Sequence, residues 1–414
     1  MLEQKVLTID LGTSEVRVAL STVGTKERNF LVKKVPSRGI KGGNITNPSS
    51  AKDSLKQALS KLKIEAPSAV PLDAYVIVPG GYVLSYEVES KIVFPGMKTV
   101  SYNDVNAVKN KAKDELLKRL GQTIRMHYDV LHIIPQEFVV GNVDGIQNPI
   151  GHNGEELTMK AFVVLATKSY MATVSNLLKE VGLRLKGGVL QSLAAFYAIR
   201  DEKNYYNNNL FIYSGARNTE VLYFKEDKPI LLRHLPFGTE DLLSHLIQKL
   251  KVGRKEAERL YLEYGSAYAF SVSKEEIVPV NLGSKVLKVP RLLIAALIHE
   301  KLKGLFKDIK EKLNSKDSAL LSNLNRVYLC GGLAKLKDIE LLAEKAFKAP
   351  IIVPEIKESG VDDITLAPIL GVTRYVDSLM DRERLTDVRE DLSKSHERNR
   401  GFFSGILRFI LDLI

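Results

Sequence analysis

Residues 6–20 of the chain read V-L-T-I-D-L-G-T-S-E-V-R-V-A-L, two apolar runs on either side of a glycine. This pattern predicts a β-hairpin with Gly12 in its tight turn. A glycine at such a tip lets backbone N–H groups approach an anion, and the hydroxyls of Thr13 and Ser14 can add donors. Asp10, at the end of the first strand, is placed to hold a cation beside phosphates. An ordinary hairpin turn uses the same residue types, so this stretch alone leaves both interpretations open.

Residues 210–224, L-F-I-Y-S-G-A-R-N-T-E-V-L-Y-F, repeat this order of strand, glycine turn and strand. When the two stretches are aligned on Gly12 and Gly215, Tyr213 stands at the position of Asp10. Such a repeat predicts two similar α/β halves that face each other across a cleft. Two unrelated hairpins would give the same pattern, and that alternative stays open at this point.

A third glycine-rich stretch, R-V-Y-L-C-G-G-L-A at residues 326–334, predicts a buried strand that runs into Gly331 and Gly332. Bare backbone at a glycine pair suits the packing of a base or a ribose. Strands are paired with helices from the start of the chain, which predicts the α/β class. Residues 82–166 are expected to form a separate module within it.

Composition narrows the class of protein. The 414 residues, 45% of them hydrophobic and 26% charged, predict a globular chain with more than one domain, and a single cysteine excludes an internal disulfide framework. No apolar run is long enough to span a bilayer, and the N-terminus lacks a signal-peptide pattern. The net charge of +11 favours an anionic membrane or an acidic partner, or reflects only a lysine-rich surface. The absence of Trp and of basic–aromatic clusters counts against nucleic acid.

The end of the chain carries a different signal. Residues 381–400 are dense in mixed charges and predict a solvated linker. Residues 401–414 are too few to span a bilayer and too apolar to lie in water, so they predict an amphipathic helix at a membrane surface. Docking on the protein's own core or on another subunit is the alternative. The residues expected to face the membrane are Phe402, Phe403, Ile406, Leu407, Phe409, Ile410 and Leu413.

Together these motifs resemble the FtsA family of actin-like bacterial cell-division proteins, along nearly the whole chain. Residues 10–14 resemble its first phosphate motif, and residues 213–224 fall at its second. The stretch S-R-G-I-K-G-G at 37–43 resembles its S-R-G-I loop, and L-C-G-G-L-A at 329–334 resembles its adenosine motif. The most specific strings are H-I-I-P-Q-E-F at 132–138 and G-I-Q-N-P-I-G at 145–151, which resemble the inserted 1C subdomain of the family.

The resemblance implies an actin-like (ribonuclease H-like) fold, with duplicated α/β domains around a nucleotide cleft. The expected divisions are a first half at 1–81 and 167–209, an inserted 1C-type subdomain at 82–166, a second half at 210–224 and 307–380, a small subdomain of that half at 225–306, a charged linker at 381–400 and an amphipathic membrane-targeting helix at 401–414.

It also implies bound ATP and Mg²⁺, with Asp10 as the metal ligand. The expected nucleotide contacts are Asp10, Gly12, Thr13, Ser14, Gly215, Ala216, Arg217, Asn218, Glu258, Gly331, Gly332 and Leu333. The chain departs from the family at Tyr213, where the second acid is lost, and at Tyr261, where a lysine near the ribose is lost. Because actin-like ATPases position Mg²⁺ and the attacking water with both acids, we expect ATP binding with slow or absent hydrolysis. Arg217 is expected to contact a phosphate directly.

In function, the resemblance implies a scaffold that polymerises on the cytoplasmic face of the inner membrane at the division site and tethers FtsZ filaments there. The FtsZ C-terminal tail is expected near Lys301 and Lys303. Further partners are copies of the chain itself, anionic inner-membrane lipids and, at the 1C-like subdomain, late division proteins. No catalytic residue is assigned, and at most a slow ATPase is expected. The alternatives are a PilM-like pilus-assembly scaffold, a small-molecule phosphotransferase of the same fold, and a scaffold that binds no nucleotide.

Overall fold

The computed structural model describes residues 4–23, 29–66, 70–200, 206–283, 285–356, 361 and 363–379. The predicted linker at 381–400 and the predicted amphipathic helix at 401–414, with its seven membrane-facing residues, lie outside the described residues. Within the part of the chain that is described, no helix has both the length and the apolar character needed to cross a membrane.

The first half of the chain is built on a five-stranded sheet. Its elements are β1 (Gln4–Leu11), β2 (Glu15–Val23), β3 (Phe30–Pro36), the short strands β4 (Ile40–Lys41) and β5 (Asn44–Ile45), α1 (Pro48–Glu65), β6 (Asp73–Val78), α4 (Lys168–Lys179), β11 (Arg184–Leu190) and α5 (Gln191–Ile199). The strands lie in the order β11-β6-β1-β2-β3, antiparallel from β1 to β3 and parallel from β1 to β11. The hairpin predicted at residues 6–20 is thus confirmed. Asn47 starts α1 by accepting a hydrogen bond from Ser50 N at 3.0 Å.

The inserted module has a sheet and a core of its own. Its elements are β7 (Val83–Thr99), α2 (Tyr102–Arg119), α3 (Gly121–His127), β8 (Tyr128–Val140), β9 (Val143–Ile146) and β10 (Asn153–Thr167). The strand order is β7-β10-β8-β9, with antiparallel neighbours throughout. Val108, Ala112 and Leu116 lie on the buried face of α2 in this core. The spacing of these three residues is the helical repeat that places side chains on one face.

The second half repeats the topology of the first. Its elements are β12 (Asn209–Ser214), β13 (Thr219–Lys225), β14 (Lys228–Leu235), α9 (Ala319–Ser322), β17 (Arg326–Gly331), α10 (Ile339–Phe347) and β18 (Ile351–Ile352). The five strands lie in the order β14-β13-β12-β17-β18, again three antiparallel strands followed by two parallel ones. The two hairpins are therefore equivalent elements of duplicated sheets, as the sequence repeat predicts.

The small subdomain differs from its predicted range at both ends. It consists of α6 (Thr239–Leu250), α7 (Arg254–Tyr264), the hairpin of β15 (Ile277–Leu282) and β16 (Lys285–Pro290), and α8 (Arg291–Asn314). β14, which the predicted range 225–306 includes, pairs with β13 and is the outer strand of the second sheet. α8 continues past residue 306 because its buried positions Leu302, Leu305 and Ile309 keep one helical face apolar across that point.

A final helix, α11 (residues 367–379), lies against the first half, although it was expected with the second. A Cβ atom at Gly371 would be 1.6 Å from the carbonyl oxygen of Ala194, so the backbones of α11 and α5 touch there. The hydroxyls of Thr373 and Ser21, the latter on β2, are 2.6 Å apart. The buried apolar residues form one continuous core through both halves.

Candidate functional site

The tips of the two equivalent hairpins lie on opposite sides of a small pocket. Gly12 and Gly215 lie in its lining, and the pocket has a volume of about 190 Å³. It adjoins a larger cavity of about 820 Å³ beside the small subdomain. The larger volume is in the range of small-molecule sites. The residues that line both spaces are Thr13, Ser14, Arg217, Thr239 and Gly332.

Ten of the twelve predicted contact residues line one or both of these spaces, and two do not. Gly331 and Leu333 are not among the residues that line either space. A Cβ at Gly331, whose φ is +88°, would be 2.3 Å from the carbonyl oxygen of Ser214, so this glycine serves the close contact of β17 with β12. Leu333 is buried in the core. Of the glycine pair, Gly332 is the member that lines the cavity.

The first tip is held by the basic loop at residues 37–43. A Cβ at Gly12 would be 2.7 Å from the carbonyl oxygen of Glu15, so the turn needs a glycine. Gly42 N donates to Thr13 Oγ1 at 2.8 Å, and Ser37 N donates to the carbonyl oxygen of Ser14 at 3.0 Å. A hydroxyl that accepts one hydrogen bond still has its proton to donate, so Thr13 can offer it to a ligand.

The second tip is fixed from two sides. Asn218 Nδ2 donates to the carbonyl oxygen of Gly42 at 3.2 Å, and Asn218 Oδ1 lies 3.0 Å from His234 Nε2. The loop of Gly42 therefore bridges both halves. Gly238 allows α6 to start directly on this tip, since its Cβ would be 2.4 Å from Ala216 backbone atoms.

Asp10 lies at the bottom of the small pocket in an ion pair. Arg17 Nη1 is 3.4 Å from Asp10 Oδ2 and donates to the carbonyl oxygen of Thr365 at 2.9 Å. On the other edge of the guanidinium, Arg17 Nη2 and Nε donate to Glu15 Oε2 at 3.0 and 3.1 Å. Burial raises the pKa of Asp10, and Arg17 acts in the opposite direction. Burial raises the pKa of Tyr213 too, with a further contribution from Asp10, so the phenol is neutral.

The larger cavity is lined by charged side chains, several of which pair with each other. Arg254 makes two hydrogen bonds to Glu240, at 2.5 and 2.6 Å, and one to Glu258 at 2.7 Å. Glu258, predicted to meet the ribose, is thus already bound to Arg254. Arg217, predicted to meet a phosphate, has its guanidinium 3.9 Å from Glu240.

Three polar atoms at this cavity are buried and lack a hydrogen-bond partner among the described residues: Ser37 Oγ, Arg217 Nε and Tyr261 Oη. Unpaired buried polar groups are uncommon in folded proteins, and their collection around one cavity indicates a polar ligand. Burial raises the pKa of Tyr261 to about 12, so its hydroxyl is a neutral donor or acceptor.

Sequence reasoning missed Arg17, Thr239, Arg254, Lys335 and Lys337 as lining residues. Arg17 had a usable signal, because the register of a hairpin with its turn at Gly12 pairs residue 10 with residue 17. The other four come from the small subdomain and from the segment after β17, and only the tertiary fold brings them to the cleft.

The predicted partner residues Lys301 and Lys303 are exposed on α8. Because side chains two positions apart on a helix point in different directions, they do not form one patch. Lys301 is on the side of His245, whose pKa is lowered by burial and then by Lys301, while Glu300 acts in the opposite direction and Lys249 adds a smaller lowering effect. Lys301 of α8 and Lys249 of α6 therefore share this side with the acidic Glu300, whose carboxylate is 3.9 Å from His245 Nε2.

Two equivalent sheets that meet at a cleft, with a glycine turn from each, define a protein of actin-like fold. The structure matches a chain of the PilM–PilN type IV pilus biogenesis complex with a TM-score of 0.61 at 14% identity, covering 90% of this chain and 98% of that one. It matches MreB5 of Spiroplasma citri bound to ADP with a TM-score of 0.55 at 13% identity, covering 92% and 98%. At these identities the matches show the fold alone.

The sequence places the chain within that fold. Residues 80–165 match the family model described as the SHS2 domain inserted in FtsA, and residues 211–371 match the model described as cell division protein FtsA. Cell division protein FtsA of Streptococcus pneumoniae serotype 2 is 24% identical over 374 residues, which cover 90% of this chain and 80% of that protein. The chain belongs to the FtsA family of cell-division proteins. The resemblance and the actin-like fold predicted from the sequence are confirmed.

Proposed function

We propose that the chain is an ATP-binding, actin-like cell-division scaffold that polymerises on the cytoplasmic face of the inner membrane and tethers FtsZ filaments there. The observation that carries the nucleotide part is the pair of adjoining cavities between two opposed glycine tips. The small pocket suits phosphates, since its lining combines the glycine turns of both tips with the hydroxyls of Thr13 and Ser14 at the first tip and the guanidinium of Arg217 at the second. The larger one suits a nucleoside.

The charge around the larger cavity supports an anionic ligand. Six cationic side chains line it against three acidic ones. The cations are Lys41, Arg217, Arg254, Arg291, Lys335 and Lys337, and the acids are Glu240, Glu258 and Glu263. A concave site with this excess of positive charge attracts phosphate groups. Since Glu258 is bound to Arg254, we propose Tyr261 Oη as the polar contact for the ribose or the base.

Hydrolysis is expected to be slow or absent. A general base must accept a proton from the attacking water, and a neutral Tyr213 phenol in place of an acid does not do so. Glu220, opposite Tyr213 in the hairpin, accepts hydrogen bonds from Gly80 N at 2.6 Å and Ser192 N at 2.9 Å. Its two oxygens are therefore used within the protein. The same argument counts against the phosphotransferase alternative, which needs an acidic base as well.

Direct titration of the full chain with ATP tests the nucleotide part. Ala216→Glu places a carboxylate on the second tip, and we expect it to abolish ATP binding through repulsion of the phosphates. The matched control is Gly96→Glu, which adds the same charge at an exposed, open position of the inserted module. If Ala216→Glu binds ATP as tightly as the parent chain does, the nucleotide does not bind between the two tips. Release of phosphate from ATP, measured on the same samples, should stay near the uncatalysed background.

The other parts of the proposal rest on family membership and on sequence. Membrane binding rests on the apolar residues at 401–414 and on the net charge of +11, which favours anionic lipids. Binding of the FtsZ C-terminal tail rests on the positive charge near Lys301. Polymerisation and contacts of the inserted module with late division proteins rest on the family alone.

A further inference from the structure

The position for a cation beside Asp10 is taken by a side chain of the protein itself. The guanidinium of Arg17 is held by three acceptors: Asp10, Glu15 and the carbonyl oxygen of Thr365. The side chains of Arg17 and Asp10 are only 15% and 7% exposed, so their ion pair is largely shielded from water. A charge-assisted network of this kind is costly to break, because each buried charge would lose its partner.

These residues do not fit a magnesium ion. Mg²⁺ requires near-octahedral oxygen ligands and is usually held by one or two carboxylates together with the phosphates. Asp10 already faces a positive guanidinium, and the equivalent residue of the second tip is the neutral Tyr213.

We infer that the cleft binds its nucleotide without a divalent cation, and that Arg17 and Arg217 supply the positive charge that the phosphates need. This inference rests on the nucleotide-binding function proposed above. Arg17 lines the phosphate pocket at its bottom, and Arg217 lines it at the second tip. Arg217 Nε is buried without a hydrogen-bond partner among the described residues, so a donor is available for a phosphate oxygen.

The first test compares ATP affinity of the full chain in EDTA and in saturating Mg²⁺, by isothermal titration. We expect the two dissociation constants to agree within about threefold, whereas a metal-dependent site would lose more than roughly a hundredfold in EDTA. Binding only in Mg²⁺ overturns this inference and leaves the proposed nucleotide function intact. The absence of ATP binding in both buffers overturns the proposed function, and the inference with it.

The second test is the variant Asp10→Asn. The two hypotheses, Asp10 as a Mg²⁺ ligand and Asp10 as the partner of Arg17, predict opposite changes in ATP affinity for it. If Asp10 held Mg²⁺, its loss would weaken binding in Mg²⁺ buffer. If Asp10 only pairs with Arg17, its neutralisation leaves more positive charge for the phosphates, and we expect ATP affinity in EDTA to rise by about threefold or more. Glu15 and Thr365 still hold Arg17 in this variant, so the guanidinium stays in place. Weaker binding in Mg²⁺ together with unchanged binding in EDTA would contradict the inference.

Arg17→Lys and Arg17→Met complete the series. Lysine keeps the positive charge but not the two hydrogen bonds to Glu15, so we expect its affinity in EDTA to fall less than that of the uncharged variant. Methionine keeps an unbranched side chain but removes the charge, so affinity in EDTA should fall by roughly tenfold. Thermal unfolding of each variant shows whether it is folded. If Arg17→Met does not fold, the double variant Asp10→Asn, Arg17→Met replaces it, because that variant removes both charges of the ion pair. Equal affinity of the charged and the uncharged variants would overturn the role of Arg17.

Discussion

Tyr213 stands in the second hairpin where Asp10 stands in the first, and the exchange removes an ionisable oxygen from one side of the cleft. The remaining carboxylate is paired with Arg17, so neither tip offers a free acid. A phosphate pocket with this composition can still bind through backbone N–H groups, hydroxyls and guanidinium groups. At the scale of single residues, the site is therefore suited to hold a nucleotide and poorly suited to hydrolyse it.

Replacement of Arg217 should show whether its guanidinium meets a phosphate. We expect Arg217→Ala to weaken ATP binding by about tenfold, because a charge-assisted hydrogen bond is worth ~1–2 kcal/mol. Arg217→Lys, which keeps the charge, should recover part of the loss. The measurement is calorimetric titration with ATP. If the alanine variant binds ATP as tightly as the parent chain, Arg217 is not a phosphate contact.

His132 should make stability depend on pH. It accepts a hydrogen bond from Leu190 N at Nε2, at 3.1 Å, and lies 3.0 Å from Tyr375 Oη through Nδ1. Burial lowers the pKa of His132 from 6.5 to about 3, so the folded protein keeps the ring neutral while the unfolded chain binds a proton below pH 6.5. The stability due to the neutral ring is therefore complete above pH 6.5 and is lost as the pH falls towards 3, by up to ~1.4 kcal/mol per pH unit.

The measurement is the free energy of unfolding in denaturant between pH 7 and pH 4.5, compared between the parent chain and His132→Gln. Glutamine can accept the hydrogen bond from Leu190 but does not titrate, so the difference between the two proteins should shrink as the pH falls. His152→Gln, at an exposed histidine, is the control. A difference that does not change with pH would show that His132 is not the titrating group.

At the scale of elements, the contact of α5 with α11 joins the end of the described chain to the first half. Helices can approach this closely only where one of them has no side chain, and Gly371 provides that position. The hydrogen bond between Thr373 and Ser21 then fixes α11 on β2. The helix that precedes the predicted linker is thus anchored firmly on the first half of the molecule.

Gly371→Ala should destabilise the protein by about 3 kcal/mol, because its methyl group would overlap the carbonyl oxygen of Ala194. The control is Gly304→Ala in α8, where a methyl group meets no atom within 4 Å. That variant should be more stable by ~0.5–1 kcal/mol, because alanine favours a helix. Denaturant unfolding of both measures the effect, and similar shifts in the two variants would contradict the close contact.

The direction of the lysine side chains on α8 gives a prediction for the FtsZ tail. Lys301 shares its side with Lys249 of α6, so an acidic peptide should bind there. We expect Lys301→Glu to weaken binding of an FtsZ C-terminal peptide by about fivefold, and Lys303→Glu to have a smaller effect. Fluorescence anisotropy with a labelled peptide measures both. The reverse order of the two effects would move the site to the other side of α8.

At the scale of the whole molecule, two copies of one sheet topology face each other, and the loop of Gly42 contacts both tips. A nucleotide bound as proposed would lie between the halves and contact both of them. The inserted module has its own core, so it can present a separate surface to partners. In the sequence, the proposed membrane tether at residues 401–414 is separated from α11 by the predicted charged linker at residues 381–400.

Membrane binding should depend on the last residues of the chain. We expect the full chain to sediment with vesicles that contain anionic lipids, and a truncation after Arg400 to remain in solution. Phe409→Glu and Ser404→Glu form a matched pair, because each adds one negative charge but only the first adds it to the predicted apolar face. We expect Phe409→Glu to reduce sedimentation far more. Equal sedimentation of the full chain and the truncation would remove the argument for a tether.

Much of the fold could be predicted because it depends on local patterns. The two hairpins, the glycine pair and the start of α1 follow from alternation of apolar residues, tight-turn glycines and capping side chains, each of which acts over a few residues. Eight of the ten predicted contacts that line the cleft do so for the same reason, since they belong to the hairpin tips, whereas Glu258 and Gly332 come from α7 and from the segment after β17. The predicted boundaries were less accurate, because β14 joins its sheet and α11 joins the first half through contacts that are distant in sequence.

The sequence by itself determined the duplicated α/β architecture, the family and the loss of the second acid at Tyr213. Only the tertiary structure decided what the remaining groups do. It pairs Asp10 with Arg17, binds Glu258 to Arg254, and leaves Arg217 Nε and Tyr261 Oη without partners within the described chain. Residue type states which bonds a side chain can form, but the bonds that it does form depend on which neighbours the fold brings within about 3 Å.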